Sequence, residues 1–532
     1  EGEPRWEGVA CPACDALVGE NPFLVGEFST LLRGARAVLV GPLSEAFGDP
    51  GRAETERLVA ARILADCAGD DPERLASLLM DAETAQFPIV FAAVEGNAAD
   101  AAARFEAELD VTAADDAAQE ARDVLAERQA NAAVALLLLG KSELVWPLFV
   151  HGPDPRVRSF LIHRLAGAGV PAETLIARAR EEDDVSSRRA LLLALGEYGR
   201  DAAGGDAGSF VDEVRGAYRH DSDAGIHAAA RWLLTQWEGD EAVASLEAEL
   251  AAAESSPESA GERRWFHAAD GTTMVVLPGP VEFQMGTRDE PGKHLDEFYH
   301  RRKIDHGFAL AATEVTVAQF KRYLEDHPGM SQPFLSRYAP DDNSAQVVVT
   351  WYEAAKYCRW LSEQEGIADD EMCYPAVDAI GHGMEVEDDY LTKTGYRLPT
   401  GAEWEYACRA GSTTPRYYGF SRALLGEYAW YLGNGEDHTW PVASLKPNDF
   451  GLFDMHGNAW EWCQDEYLTF AATANRKATD LKPLDDQGGR VLRGGSYGDS
   501  PILVRSGDRN MYRPSGSLIV FGFRVARGVR AE

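Results

Sequence analysis

Up to about residue 255 the apolar residues recur three and four positions apart, as in Glu56-Arg-Leu-Val-Ala-Ala-Arg-Ile-Leu-Ala-Asp and Ala130-Asn-Ala-Ala-Val-Ala-Leu-Leu-Leu-Leu-Gly. That period predicts amphipathic helices packed through one face. From Trp265 onward the pattern changes. Short β-type runs, Thr273-Met-Val-Val-Leu and Val347-Val-Val-Thr, alternate with glycines, aromatics and loops. Two helices interrupt them, Thr316-Val-Ala-Gln-Phe-Lys-Arg-Tyr-Leu and Trp351-Tyr-Glu-Ala-Ala-Lys-Tyr-Cys-Arg-Trp-Leu-Ser. The expectation is a multidomain chain, an all-α half followed by an α+β domain with much irregular structure.

Within the helical half a weak repeat is visible. Its members begin Asp154-Pro-Arg-Val-Arg-Ser-Phe-Leu, Asp184-Val-Ser-Ser-Arg-Arg-Ala-Leu and Asp223-Ala-Gly-Ile-His-Ala-Ala-Ala. Each Asp is placed to cap a helix N-terminus ahead of an apolar stripe, as in stacked helix pairs that bury one another's faces. The pattern resembles HEAT-type repeats. The segment 239–262 is acidic and Ala-rich and ends in Glu254-Ser-Ser-Pro-Glu-Ser-Ala-Gly, where Pro, Ser and Gly break the period. The expected organisation is an N-terminal helical segment over 1–50, a HEAT-like domain over 51–255 and a C-terminal domain over 265–529.

Composition narrows the function classes. The 532 residues carry a formal net charge of −36, which repels phosphate backbones and anionic lipid. Nucleic acid and membrane surfaces are therefore not expected partners, and no apolar run reaches the length of a membrane span. The seven cysteines are irregularly spaced and do not settle the redox compartment. The chain opens on Glu1 without an export signal, so the start reads as truncated and the expected compartment is the cytoplasm. Cys11-Pro-Ala-Cys14 is half of a zinc knuckle without its second pair, and Gly140-Lys141-Ser142 lacks the leading glycine of a phosphate loop. His163 and His227 fall on repeat helices and read as packing or capping residues.

The C-terminal half carries a more specific series of strings. They are Met274-Val-Val-Leu-Pro-Gly-Pro-Val-Glu-Phe-Gln-Met-Gly, Glu314-Val-Thr-Val-Ala-Gln-Phe, Val348-Val-Thr-Trp-Tyr-Glu-Ala-Ala and Tyr396-Arg-Leu-Pro-Thr-Gly-Ala-Glu-Trp-Glu-Tyr-Ala-Cys-Arg-Ala-Gly. Then follow Pro447-Asn-Asp-Phe-Gly-Leu-Phe-Asp-Met-His-Gly-Asn-Ala-Trp-Glu-Trp-Cys, Arg490-Val-Leu-Arg-Gly-Gly-Ser-Tyr and Gly522-Phe-Arg-Val-Ala-Arg. This half resembles the formylglycine-generating-enzyme (sulfatase-modifying factor) family of the C-type lectin fold. Helical repeats followed by such a domain also resemble the C-terminal part of certain bacterial serine/threonine kinases, although no kinase signature is present.

In the active oxidases two cysteines after the Gly-Gly-Ser-Tyr string bind copper, because soft thiolates hold Cu(I). Here Asp499 and Val504 stand near those positions, and the last cysteine is Cys463. The resemblance therefore implies the fold without copper and without the oxidase's catalytic residues. Arg493, Arg505, Arg509 and Arg524 keep the family frame and read as structural, through planar forked pairs. Between them the segment of about 490–524 varies. It also resembles the variable proteins of diversity-generating retroelements, in which Asn codons altered at adenines yield Tyr, Asp, Ser, Gly, Ile, Val, Leu and Phe. The candidate ligand-binding residues are Tyr497, Gly498, Asp499, Ser500, Ile502, Leu503, Met511, Tyr512, Ser515, Ser517, Leu518, Ile519, Val520 and Phe521. The Ile-Val-Phe run at 519–521 has two readings, a buried strand or apolar area presented to a partner.

The resemblance also implies structural calcium, held by the side chains of Asp454 and Glu461 and the carbonyls of Gly457 and Ala459. The functional expectation is a non-enzymatic protein that grips a protein or other macromolecular ligand at its C-terminal surface, with a further protein partner on the helical repeats. The alternatives are an oxidase or modifying enzyme using other residues, and the regulatory part of a kinase.

Overall fold

The computed structural model describes residues 10–20, 36–68, 71–253, 262–288, 293–294, 297–330, 336–467 and 488–529. They form an all-helical region followed by an α+β domain, as the change of period predicts. Two compact units result, one of residues 1–151 with 156–204, the other of 152–155 with 205–532. Packing thus groups residues 205–253 with the C-terminal domain, upstream of the compositional break near 255.

The first unit contains α1 (Ala10–Val18), α2 (Arg36–Gly48), α3 (Glu54–Ala68), α4 (Pro72–Met80), α5 (Phe87–Val94), α6 (Ala98–Leu109), α7 (Gln119–Leu138), α8 (Arg156–Gly167), α9 (Ala172–Glu181) and α10 (Val185–Leu195). Asp184 accepts from the Ser187 N–H at 2.8 Å, so the expected cap forms at α10. Asn131, fully buried on α7, donates to the carbonyls of Met80 and Ala82 at 2.8 and 2.9 Å. It thereby satisfies acceptors that the end of α4 leaves over.

The second unit starts with α11 (Ala207–His220), α12 (Ala224–Glu238) and α13 (Asp240–Ala253). Asp223 caps α12, accepting from the Ile226 N–H at 2.8 Å. These helices pack on the β-rich half that follows. The Trp265 indole is fully buried, stacks on His227 at 3.8 Å and donates to the Asp221 carbonyl at 2.8 Å. The Lys446 ammonium lies 4.5 Å from the Trp232 ring centroid.

An antiparallel five-stranded sheet has the order β1 (Trp265–His267), β2 (Thr273–Leu277), β5 (Gly307–Ala311), β11 (Ala526–Val529), β6 (Tyr396–Arg397). β3 (Val281–Met285) and β4 (His300–Ile304) form a separate ribbon. A four-stranded sheet runs β10 (Phe521–Gly522), β7 (Trp460–Glu466), β8 (Arg490–Arg493), β9 (Asn510–Tyr512). Three helices, α14 (Val317–Asp326), α15 (Trp351–Gln364) and α16 (Gly401–Arg409), each start on a reciprocal capping box. The pairs are Thr316 with Gln319, Thr350 with Glu353 and Thr400 with Glu403, each satisfying two otherwise unpaired N–H groups. Trp351, Trp404 and Trp462 are among the largest fully buried side chains. The run at 347–350 is not a strand: Val347 and Val349 are buried in a connection, Val348 has φ of 63°, and Thr350 is the α15 cap.

Candidate functional site

The frame of the C-terminal segment is built from buried ion pairs. Arg524 meets Glu461 through Nε and Nη2 at 2.6 and 2.7 Å, both side chains being wholly buried. Its other bonds go to the carbonyls of Ala311, Ala312 and Phe453. Arg493 pairs with Glu405 at 2.9 Å, and Arg505 grips Glu297 at 2.8 and 2.7 Å. Arg505 and Arg524 make the expected forked pairs, whereas Arg493 reaches Glu405 through one nitrogen and Arg509 lies 5.0 Å from the Tyr467 ring centroid.

Within that frame the candidate residues divide by exposure. Tyr497 and Phe521 are buried. The Tyr497 hydroxyl donates to the Ile519 carbonyl at 3.2 Å, and the Phe521 ring packs on Trp462 and Tyr512, with centroids 5.4 and 5.2 Å away. Asp499, Ser500, Leu503, Tyr512, Ser517 and Val520 are half-buried. Gly498, Ile502, Met511, Ser515, Leu518 and Ile519 are exposed. The two readings of 519–521 therefore each hold for part of the run, Phe521 forming the strand β10 while Ile519 faces solvent.

Trp460 draws the two ends of the segment together. Its indole donates to Asp499 Oδ2 at 2.7 Å, and its backbone N–H donates to the Val520 carbonyl at 2.9 Å. Asp499 Oδ2 also accepts from the Ser496 hydroxyl at 2.5 Å, so this carboxylate holds the loop in place. The Asp499 carbonyl accepts from the Leu432 N–H at 2.9 Å. Leu432 joins the surface although sequence reasoning passed it over; its only signal was an apolar residue in a Tyr-Leu-Gly-Asn turn. Leu432, Ile502, Met511, Leu518 and Ile519 range from 37% (Ile502) to 62% (Leu432) exposed. In the second unit Phe298 is the other large apolar side chain exposed to this degree among the described residues. Apolar side chains that form one contiguous exposed patch mark interaction surfaces.

Val504, expected near the second of those cysteine positions, is fully buried. The cysteines of this unit, Cys358, Cys373, Cys408 and Cys463, are buried as free thiols. Burial pushes every one upward, Cys373 to about 11 and Cys408 to about 12, so the thiolate form is disfavoured.

The stretch 454–459 is an irregular lead into β7, bridged to Trp430 at Gly457. Gly457 has φ of 79°, and a Cβ there would lie 2.0 Å from the Trp430 carbonyl oxygen, so only glycine fits. Asp454 Oδ2 accepts from the Ala443 N–H at 2.7 Å, and Glu461 Oε2 also accepts from the Trp404 indole at 2.8 Å. The Ala459 N–H donates to Glu314 at 3.2 Å. Of the three buried carboxyl groups Glu314, Asp454 and Glu461, Glu461 is the one paired directly with a guanidinium, that of Arg524. Burial, followed by Asp454 and Glu461, pushes Glu314 well above the carboxylate range, and burial moves Asp454 to about 6. His294, Glu297 and Asp508 also place potential ligand atoms within 4.8 Å of one another, but Arg505 already occupies both oxygens of Glu297. Among the described residues no helix is long and apolar enough to cross a membrane.

Residues 263–529 match the family model described as the sulfatase-modifying factor enzyme 1-like domain. The chain is 29% identical over 283 residues to a formylglycine-generating enzyme of Bos taurus, covering 48% of this chain and 74% of that one. It is 28% identical over 260 residues to serine/threonine-protein kinase pkn1 of Chlamydia caviae, spanning 49% of this chain but 38% of the kinase. The solved structure of Treponema denticola variable protein 1 aligns with a TM-score of 0.42 at 27% identity, covering 48% of this chain and 95% of that one.

Proposed function

From the premise that the chain belongs to the sulfatase-modifying factor enzyme 1-like family, we propose that it is a non-enzymatic member which binds a protein or other macromolecular ligand through the segment 497–521. The observation that carries this reading is the concentration of exposed apolar side chains there, Ile502, Met511, Leu518 and Ile519. The helical half serves as a docking arm or spacer built from HEAT-like repeats.

The finer form of the reading is a diversity-generating-retroelement variable protein. Gly498, Ser500, Ile502, Leu518 and Ile519 are residue types reachable from Asn codons by changes at adenines, whereas Met511 stands outside that set. Genomic DNA beside the stop codon should hold a near-copy of this segment differing at adenines.

The binding role is tested by selecting peptides from a random library on the wild-type protein, with the triple variant Met511→Ser, Leu518→Ser, Ile519→Ser as comparison. Selected peptides should lose at least about tenfold in affinity on the variant, a difference of about 1.4 kcal/mol. The thermal midpoint should hardly move, because substitutions at exposed positions usually stay within about 0.5 kcal/mol. Equal affinity for both proteins would refute the assignment of the surface. Aldehyde formation on a Cys-containing sulfatase peptide in the presence of copper would refute the non-enzymatic reading. The match to pkn1 favours a second reading, the regulatory part of a kinase, which an in-frame kinase signature upstream would establish.

Calcium belongs to the same proposal. Asp454 and Glu461, with the Gly457 and Ala459 carbonyls, would hold it, and the charge it would balance is that of Asp454, since Glu461 already faces Arg524. Both Glu461 oxygens are held by Arg524, just as both Glu297 oxygens are held by Arg505, so the ion would have to displace one of those bonds to reach Glu461. Calcium added to chelator-treated protein should raise the unfolding midpoint, by about 2.7 kcal/mol of stability at a hundredfold excess over Kd. An unchanged midpoint at millimolar calcium would leave Arg524 as the sole counter-charge.

A further inference from the structure

A cleft of about 670 Å³ lies between α12–α13 and the β-rich half of the same unit, with no residue of 497–521 in its lining. Its volume is in the range of small-molecule sites, about 300–1,000 Å³. One wall is α12, which supplies His227 and Arg231. His227 Nδ1 lies 2.7 Å from the Tyr218 carbonyl, which places the ring hydrogen on Nδ1 and leaves Nε2 as an acceptor. Burial holds this imidazole down to about 3, so it stays neutral. Arg231 donates to the Ala443 carbonyl at 3.0 Å and is balanced by Glu247 at 2.6 Å. Across the cleft are Arg322 and Asp341, the latter accepting from the Asn343 N–H at 2.7 Å.

Trp430 and Trp440 complete the lining, stacked with centroids 4.2 Å apart and planes 9° apart. Their indole N–H groups are already given to Ser444 Oγ and the Gly435 carbonyl, at 3.0 and 3.1 Å. What they add to the cleft is apolar ring surface.

We infer that this cleft binds a neutral, hydroxyl-rich ring of the size of a mono- or disaccharide. A hydroxyl donates and accepts, and the lining offers guanidinium donors alongside carboxylate and imidazole acceptors. A sugar ring presents a face of C–H bonds that matches the indole surface. The two guanidiniums share the lining with three carboxylates, Asp240, Glu247 and Asp341, and the chain as a whole carries −36, so the site lacks the positive surplus that a phosphate-bearing ligand needs.

The test is saturation-transfer NMR on the whole chain with maltose, N-acetylglucosamine, glucose 6-phosphate and adenosine, each alone. Transfer to maltose or N-acetylglucosamine is expected, weakened at least about tenfold in Trp440→Leu and in Asp341→Asn. Asp341 is exposed, so its variant keeps the test open if Trp440→Leu does not fold. Transfer to glucose 6-phosphate or adenosine alone, transfer to none of the four, or sugar transfer that survives Asp341→Asn would overturn the inference. The triple variant at Met511, Leu518 and Ile519 should keep full sugar binding, which separates this site from the proposed macromolecular one.

Discussion

Replacing Phe521 by Ala is expected to cost about 3–5 kcal/mol, the usual loss when a large aromatic leaves a packed core. Its neighbours Leu518 and Ile519 should tolerate the same change almost without cost. The contrast follows from geometry. Phe521 is 2% exposed, wedged between Trp462 and Tyr512, and its carbonyl accepts from the Val349 N–H at 3.4 Å. Leu518 and Ile519 are 43% and 41% exposed. Urea unfolding reads the difference, provided the slope of free energy against urea stays that of the wild type. If Ile519→Ala lowers stability as much as Phe521→Ala, the run is core throughout and the proposed surface is lost.

Arg524→Met should be comparably damaging, about 3–5 kcal/mol, because it strands Glu461 as an unpaired charge with no access to water. The carbonyls of Ala311, Ala312 and Phe453 lose a donor as well. The double variant Arg524→Met, Glu461→Met should be more stable than the single one, since the desolvated charge is removed along with its partner. A double-mutant cycle by urea denaturation measures that coupling. Calcium that partly rescues Arg524→Met would identify Glu461 as a ligand the two cations share. Additivity of the two substitutions would show that the pair does not act as a unit.

Local rules were legible in the sequence wherever a short pattern has one physical solution. Asp184 and Asp223 stand before apolar stripes and cap them, and Thr316 and Thr350 open capping boxes on the two expected helices. The third box, Thr400 with Glu403, carried the same signal and opens α16, a helix the apolar pattern alone did not single out. Val347-Val-Val-Thr misled in the other direction. β-branched residues favour strands, but here they line the buried approach to a helix. Exposure within 497–521 could not be read, because Phe521 and Ile519 are both apolar and differ only in what lies against them. Non-local neighbours were out of reach for the same reason. Leu432 meets Asp499, and Arg231 meets Ala443, through topology that no spacing encodes.

The seating of Trp265 on α12 means that what is inherited and what folds are different lengths of chain. Recognisable homology starts at 263, yet the indole two residues later is enclosed by His227 and bonded to Asp221, which lie outside it. A gene rearrangement that transplanted only the homologous stretch would carry a bare tryptophan into its new host and would need a replacement lid. The head of this chain can therefore be exchanged as a working module only when the helices from Ala207 travel with it.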